Sequence, residues 1–335
     1  MAQVAINVEA RERGAHASAI EVRNLVKTYK NVRALDGLSL SVQRGSIFAL
    51  LGPNGAGKST TIKILTTLSR PDSGEAWVAG FNVLEEPQRV RCVIGCVAQR
   101  SGVDVDSTGR ENLILQGRFY EMGRAELKQR VAALLDRFNL ASAADRVART
   151  YSGGMQRKLD IAMGLIHRPE VLFLDEPTTG LDPESRSDLW DEIARLSTEG
   201  LTILLTTHYL EEADRLAQQV AIVDRGHVVT QGTPEGLKAE LRGDSVQIDL
   251  AAAAMLADIE QSLQAVEGVR DIQLTGATLH ARTNHGATAV PPMLLALEAA
   301  GIRVSSVRVA GPSLDDVYLR YTGRTIQEAE QEDSR

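Results

Sequence analysis

The chain has 335 residues, 43% of them hydrophobic and 24% charged, a composition that belongs to a globular protein with apolar material for one large core or two smaller ones. A net charge of −7 and a pI near 5.5 exclude the strongly basic balance of a generic nucleic-acid binder, though not a local basic patch. Two cysteines, Cys92 and Cys96, cannot assemble a zinc set or a disulfide framework and are read as small core residues.

In chain order, residues 1–18 are polar and Ala-rich, with Arg11, Glu12 and Arg13 where a secretory leader would carry an apolar run; a flexible tail is expected. No stretch reaches the ~18 consecutive apolar residues of a membrane-spanning helix. The expected location is therefore cytoplasmic. From Ala19 the β-type runs AIEVRNLVKTY, ALDGLSLSV and SIFALL follow one another, and GEAWVAG adds a strand at Gly74. SIFALL leads directly into LGPNGAGKST, Leu51 to Thr60, and a helix-forming TTIKILTTL. Between about Asp106 and Ala148 the pattern turns helical, and RAELKQRVAALLDRFNL places Leu127, Val131, Leu134, Leu135 and Phe138 on one face. YSGGMQRKLD then opens a further helix with Ser152 as its N-cap. Two unalternating apolar runs, VLFLD and LTILLTT, suit parallel strands buried on both faces, with the helix PESRSDLWDEIARLS between them. VAIVDRGHVVTQG reads as a hairpin turning at Arg225-Gly226. Around Arg242 to Asp244 the character shifts to a small α+β unit, with a helix expected from Pro292 to Ala300 and a polar, acidic tail from Thr325 expected to lack order.

Gly52 to Ser59 match G-x-x-x-x-G-K-[ST] between a strand and a helix, the context a phosphate-binding loop requires. Glycines let backbone N–H groups converge on phosphate oxygens, and the helix N-terminus adds about half a positive charge. The whole loop, Gly52, Pro53, Asn54, Gly55, Ala56, Gly57, Lys58, Ser59 and Thr60, is a candidate nucleotide cradle. Lys58 is expected to reach the β/γ-phosphates and Ser59 to ligate Mg²⁺. VLFLDEP supplies the acids: Asp175 to hold the metal and Glu176 to accept a proton from, or orient, an attacking water. Three single residues carry weaker signals. His208 reads either as a γ-phosphate sensor or as a satisfied structural histidine. Gln99 reads as a ligand of Mg²⁺ or of the attacking water, or as an ordinary loop residue. Tyr29 reads as an adenine-stacking ring or as an exposed strand-end tyrosine.

The order Tyr29, P-loop, Gln99, YSGGMQRKLD, VLFLDEP, Gly180-Leu181-Asp182, His208 resembles the ordered motif set of the ATP-binding-cassette (ABC) ATPases over about Ala19 to Gly236. The resemblance implies an α/β fold of the P-loop NTPase class: a RecA-like parallel-sheet core, an antiparallel β subdomain, and a helical subdomain over about 100–168. The cassette is expected to span 19–241, followed by a C-terminal α+β accessory domain over 242–324 and a tail over 325–335. It also implies that Ser152, Gly153 and Gly154 are the signature element. In the family this element binds the γ-phosphate of an ATP seated in a partner copy's P-loop, with Asp182 at the same seam. A head-to-tail dimer of two chains around two ATP follows, with ATP and Mg²⁺ as the cofactors.

The signature departs from the commonest LSGGQ at Tyr151 and Met155, and Met155 has no side-chain donor. That variant and the tail PSLDDVYLRYTGR resemble the daunorubicin-resistance-type drug-exporter ATPases. This branch implies a separately encoded integral-membrane permease as partner, a peripheral place on the cytoplasmic side of the membrane, and no nucleic-acid partner. A soluble mechanical ATPase acting on a ribosome or nucleic acid is the alternative. One uninterrupted cassette and the acidic balance favour transport.

Overall fold

The computed structural model describes residues 18–241, 243–252 and 255–333. The expected N-terminal tail thus lies, but for its last residue, outside the described residues, as do 334–335. The chain forms two compact units that divide between Gln231 and Gly232.

The first unit opens with long antiparallel strands β1 (Ser18–Tyr29) and β2 (Val32–Gln43). Strand β3 (Ile47–Leu51) is buried at every residue and feeds helix α1 (Lys58–Leu65). Strands β4 (Ser73–Val78) and β5 (Phe81–Asn82) join β1 and β2 in a four-stranded sheet of order β2-β1-β4-β5. Helix α2 (Pro87–Val93) leads to β6 (Ile94–Val97). Three helices follow: α3 (Gly109–Phe119), started by a Thr108–Glu111 capping box, α4 (Arg124–Arg137), burying Leu127, Val131, Leu134 and Leu135, and α5 (Gly153–Gly164). The unit closes with β7 (Val171–Asp175), α6 (Pro183–Thr198), β8 (Thr202–Thr207), α7 (Leu210–Leu216) and the hairpin β9 (Gln219–Asp224) and β10 (His227–Gly232). The hairpin turns at Arg225 and Gly226, both at positive φ, as a two-residue hairpin turn demands.

The second sheet has the order β10-β9-β3-β8-β7-β6, and β6, β7, β8, β3 and β9 pair in parallel. Leu51 pairs with Thr207 and Asp175 with Thr206, so adjacent strands end level. The segments after β6, β7, β8 and β3 therefore emerge at one edge, the usual ligand edge of such a sheet.

In the second unit, helix α8 (Pro234–Ala239) precedes strands β11 (Asp244–Leu250), β12 (Val269–Thr275), β13 (Thr278–Thr283) and β14 (Val304–Ala310), in the order β12-β13-β11-β14. Helices α9 (Leu256–Leu263) and α10 (Gly286–Ala299) pack on this sheet over Ile248, Leu279, Met293 and Leu297. Helices α11 (Leu314–Thr322) and α12 (Ile326–Asp333) follow.

Four expectations change. The division falls before α8, which packs on α11 and is tied to it by Tyr321 Oη donating to Glu240 Oε2 at 3.0 Å. Helix α10 starts at Gly286, whose N–H donates to Asp244, so Pro291 and Pro292 sit inside the helix and not at its start. The acidic tail from Ile326 to Asp333 is helical, begun by Thr325 and Glu328 capping each other. Cys92 and Cys96 are free and exposed: Cys92 lies on the outer face of α2, which buries Val90 and Val93, and Cys96 on β6, an edge strand whose side chains are less enclosed than those of β7 and β8.

Candidate functional site

The loop from Gly52 to Gly57 is fixed by steric exclusion. A Cβ on Gly52 would stand 2.2 Å from Val223 O, and one on Gly57, at φ 108°, 2.6 Å from Ala34 O. Only glycine meets both demands. No side chain caps α1, so the amides of its first turn keep their capacity for an anion. Lys58, 4% exposed, donates from Nζ to Gly52 O at 2.6 Å and Pro53 O at 2.8 Å, and lies 3.9 Å from Glu176 Oε1. A cavity of about 140 Å³ opens here, lined by Asn54 to Thr60 with Gln99 and Glu176.

The acids come from the end of β7. Asp175 Oδ1 accepts from Ser59 Oγ at 3.1 Å and from Thr206 Oγ1 at 2.6 Å. A hydroxyl and a carboxylate meeting beside a phosphate cradle are the hard oxygen donors that Mg²⁺ prefers, so the residues present fit that ion. Glu176 has φ 47°, a conformation that costs a non-glycine residue about 1–3 kcal/mol and is disfavoured again before Pro177. Its N–H holds it there by donating to both Thr206 O and Thr206 Oγ1 at 3.1 Å. The carboxylate accepts from Gln99 Nε2 at 3.0 Å and Thr179 Oγ1 at 3.3 Å. His208 Nδ1 is 3.4 Å from the other oxygen, though without the geometry of a hydrogen bond. The His208 imidazole first, then Lys58, hold the Glu176 carboxyl below the usual glutamate range against the opposing pull of burial. A carboxylate kept ionised can accept a proton.

The fold thus brings together the P-loop, Asp175, Glu176, Gln99 and His208, which stand far apart in sequence. Tyr29 does not line this cavity: it ends β1, 43% exposed, its hydroxyl 3.2 Å from Ser69 Oγ and Lys27 Nζ 5.3 Å from the ring centre. Ser152, Gly153 and Gly154 do not line it either. Ser152 is exposed and caps α5 by accepting from Met155 N at 3.2 Å. Tyr151 is buried, and its hydroxyl donates to Ala143 O at 2.7 Å, anchoring the start of α5 to the helical region. Gly154 packs so closely on α6 that a Cβ would meet Ser185 Oγ at 2.6 Å. Asp182 caps α6, taking Ser185 N at 2.9 Å and Ser185 Oγ at 2.7 Å.

Sequence reasoning passed over Thr206, Thr179 and Arg157. Arg157 is 8% exposed and reaches from α5 to main-chain carbonyls beside Gln99 and Glu176. The available signal was a charged pair, Arg157 and Asp160, at i,i+3 on the apolar face of α5. On α7, Glu212 is fully buried; Oε1 accepts from Thr178 Oγ1 at 2.8 Å and Trp190 Nε1 at 2.9 Å, while Oε2 has no partner.

Residues 35–179 match the family model described as ABC transporter, and residues 232–322 match that of the ATP-binding protein DrrA1-3-like C-terminal domain. The chain is 42% identical to the daunorubicin resistance ATP-binding protein DrrA2 of Streptomyces coeruleorubidus, over 93% of this chain and 97% of that one. It is 44% identical to the daunorubicin/doxorubicin resistance ATP-binding protein DrrA of Streptomyces peucetius, over 94% and 97%. Among solved structures, a dimeric ATP-binding cassette in a post-hydrolysis state bound to ADP and Pi matches at TM-score 0.59 and 26% identity, over 64% of this chain and 98% of that one.

Proposed function

The chain belongs to the ATP-binding-cassette ATPases, and from that premise we propose that it powers export of a drug, antibiotic or lipid-like compound through a separate membrane permease. The daunorubicin- and doxorubicin-resistance relatives support this cargo class. No helix among the described residues is long and apolar enough to cross a membrane, which fits a peripheral place on the cytoplasmic side.

The observation that carries the reading is the meeting of Lys58, the Ser59–Asp175 pair and the Gln99–Glu176 pair around one glycine-built cradle. The loop amides and Lys58 would hold the phosphates of ATP. Ser59, Asp175 and Gln99 would hold Mg²⁺, which when bound neutralises charge on the phosphate oxygens. Glu176, kept ionised, would take the proton of the attacking water, with Gln99 and His208 orienting the reacting groups. Tyr29, at the exposed end of β1, would stack on adenine. Ser152 to Gly154 would close over the ATP of a second copy, with Asp182 at the seam, so that two chains enclose two ATP. The dimeric post-hydrolysis cassette among the structural neighbours is consistent with this arrangement.

Glu176→Gln tests it. Hydrolysis should fall about 10²–10⁴-fold, ATP binding should persist, and the purified protein should become dimeric with ATP and Mg²⁺ in light-scattering chromatography. A variant that stays monomeric sinks the composite-site reading.

A further inference from the structure

We propose that Arg157 is a positioning residue that couples the two half-sites of this chain: the Ser152 helix start offered outward and the Gln99–Glu176 pair kept within. The inference rests on the dimeric reading above. Arg157 Nη1 donates to Ala98 O, immediately before Gln99, at 2.7 Å. Nε donates to Pro177 O at 2.7 Å, and Nη2 to Asp175 O at 3.0 Å and Glu176 O at 3.3 Å. One guanidinium therefore grips, from behind, both ends of the 3.0 Å hydrogen bond between Gln99 and Glu176.

The group is not engaged in a simple ion pair. The Asp160 carboxylate of its own helix stands 3.9 Å away, while four main-chain carbonyls take its hydrogen bonds. A planar fork with five donors can hold carbonyls from two loops at fixed angles; an ammonium on a flexible stem cannot. Asp160 adds a second tie, Oδ1 accepting from Gly102 N at 2.9 Å, so α5 grips the segment after β6 at two points.

At its other end the same helix presents Ser152. Arg157 lies about one and a half turns further along a single 12-residue helix. A displacement of the helix start by a partner's phosphate is therefore a displacement of the guanidinium, and of the carbonyls that set Gln99 against Glu176. Packed elements of this kind, stiff and densely bonded, are the physical carriers of coupling between sites.

Mixed dimers carrying two different affinity tags assign the effect. Glu176→Gln in one protomer leaves one hydrolysing site. Arg157→Lys is then placed either in that protomer, where only its signature helix serves the live site, or in the other, where only its Gln99–Glu176 pair does. Both placements should lower ATP turnover at least about fivefold against the Glu176→Gln mixed dimer, with the variant chain still folded, at a Tm lowered equally in both placements, and its nucleotide affinity unchanged. A loss from one placement only, or from neither, overturns the inference and leaves Arg157 a local brace. Arg157→Gln takes both placements should the lysine variant misfold. The dimeric reading is judged separately and first: if Glu176→Gln alone forms no dimer with ATP, that reading has failed before Arg157 is changed.

Discussion

Two of the helix starts built on glycine, Gly57-Lys58 and Ser152-Gly153, differ in what surrounds them. At Gly57-Lys58 no side chain caps the helix, the lysine is 4% exposed, and Gln99 and Glu176 line the same cavity. At Ser152-Gly153 the serine caps the helix and both residues are exposed, outside that cavity. The first start faces side chains of its own chain across a cavity. The second presents a hydroxyl and a helix N-terminus to whatever approaches from outside, while its rear is bolted to the first site through Arg157. Similar sequence chemistry thus yields a lined cavity in one place and an exposed helix start in the other.

The largest expected effect breaks the first start. Lys58→Ala should abolish measurable ATP binding in a fluorescent-nucleotide titration; retained affinity would mean the loop is not the primary phosphate receptor. Next, Ser152→Ala should slow hydrolysis about 10²-fold, the scale of losing one preorganised oxyanion donor, with nucleotide affinity of the monomer intact. An equal fall in both would make the serine a prop for the fold alone.

The adjacent glycines sharpen the comparison further. A Cβ on Gly153 meets nothing closer than Leu181 Cδ2 at 3.8 Å, so Gly153→Ala should keep its Tm and lose hydrolysis by crowding the partner's phosphate. Gly154→Ala drives a methyl to 2.6 Å from Ser185 Oγ and should lower stability by about 1–3 kcal/mol. If Gly153→Ala hydrolyses ATP like the parent, nothing docks closely on that face.

The smallest effect concerns Glu212. Burial pushes its carboxyl above the ordinary glutamate value, outweighing the hydrogen bonds from Trp190 and Thr178 and the charge of Arg186. A raised carboxyl favours the fold at low pH, where it is protonated, and that contribution is lost as pH rises through its folded-state pKa. Glu212→Gln keeps a neutral acceptor for Thr178 and Trp190. Its Tm relative to the parent should therefore improve from pH 5 to pH 8; a difference independent of pH would refute the assignment.

Much of this was legible beforehand, and the failures are instructive. The hairpin turn at Arg225-Gly226 and the buried face of α4 follow from turn chemistry and from periodicity, both local. The core placement of Cys96 failed because an edge strand cannot be told from a central one by composition, and that of Cys92 because it falls on the exposed face of α2, whose buried residues are Val90 and Val93. Helix α10 begins six residues before the expected Pro292 because Asp244, from another element, starts it by accepting from Gly286 N, a contact that no local pattern encodes.

The sequence by itself determined the phosphate cradle, because such a cradle is built from consecutive backbone amides and its glycines follow one another in the chain. It also determined that Asp175 and Glu176 end a buried strand, since an apolar run closed by acid and proline has few other solutions. Only the tertiary structure decided which side chains meet. Ser59 and Asp175 touch because β3, β8 and β7 end level; Gln99 reaches Glu176 because β6 lies beside β7; and Arg157 finds carbonyls in two loops because α5 packs behind them. Those contacts depend on strand order and helix packing, where hydrogen bonds join residues by distance in space and not by spacing along the chain.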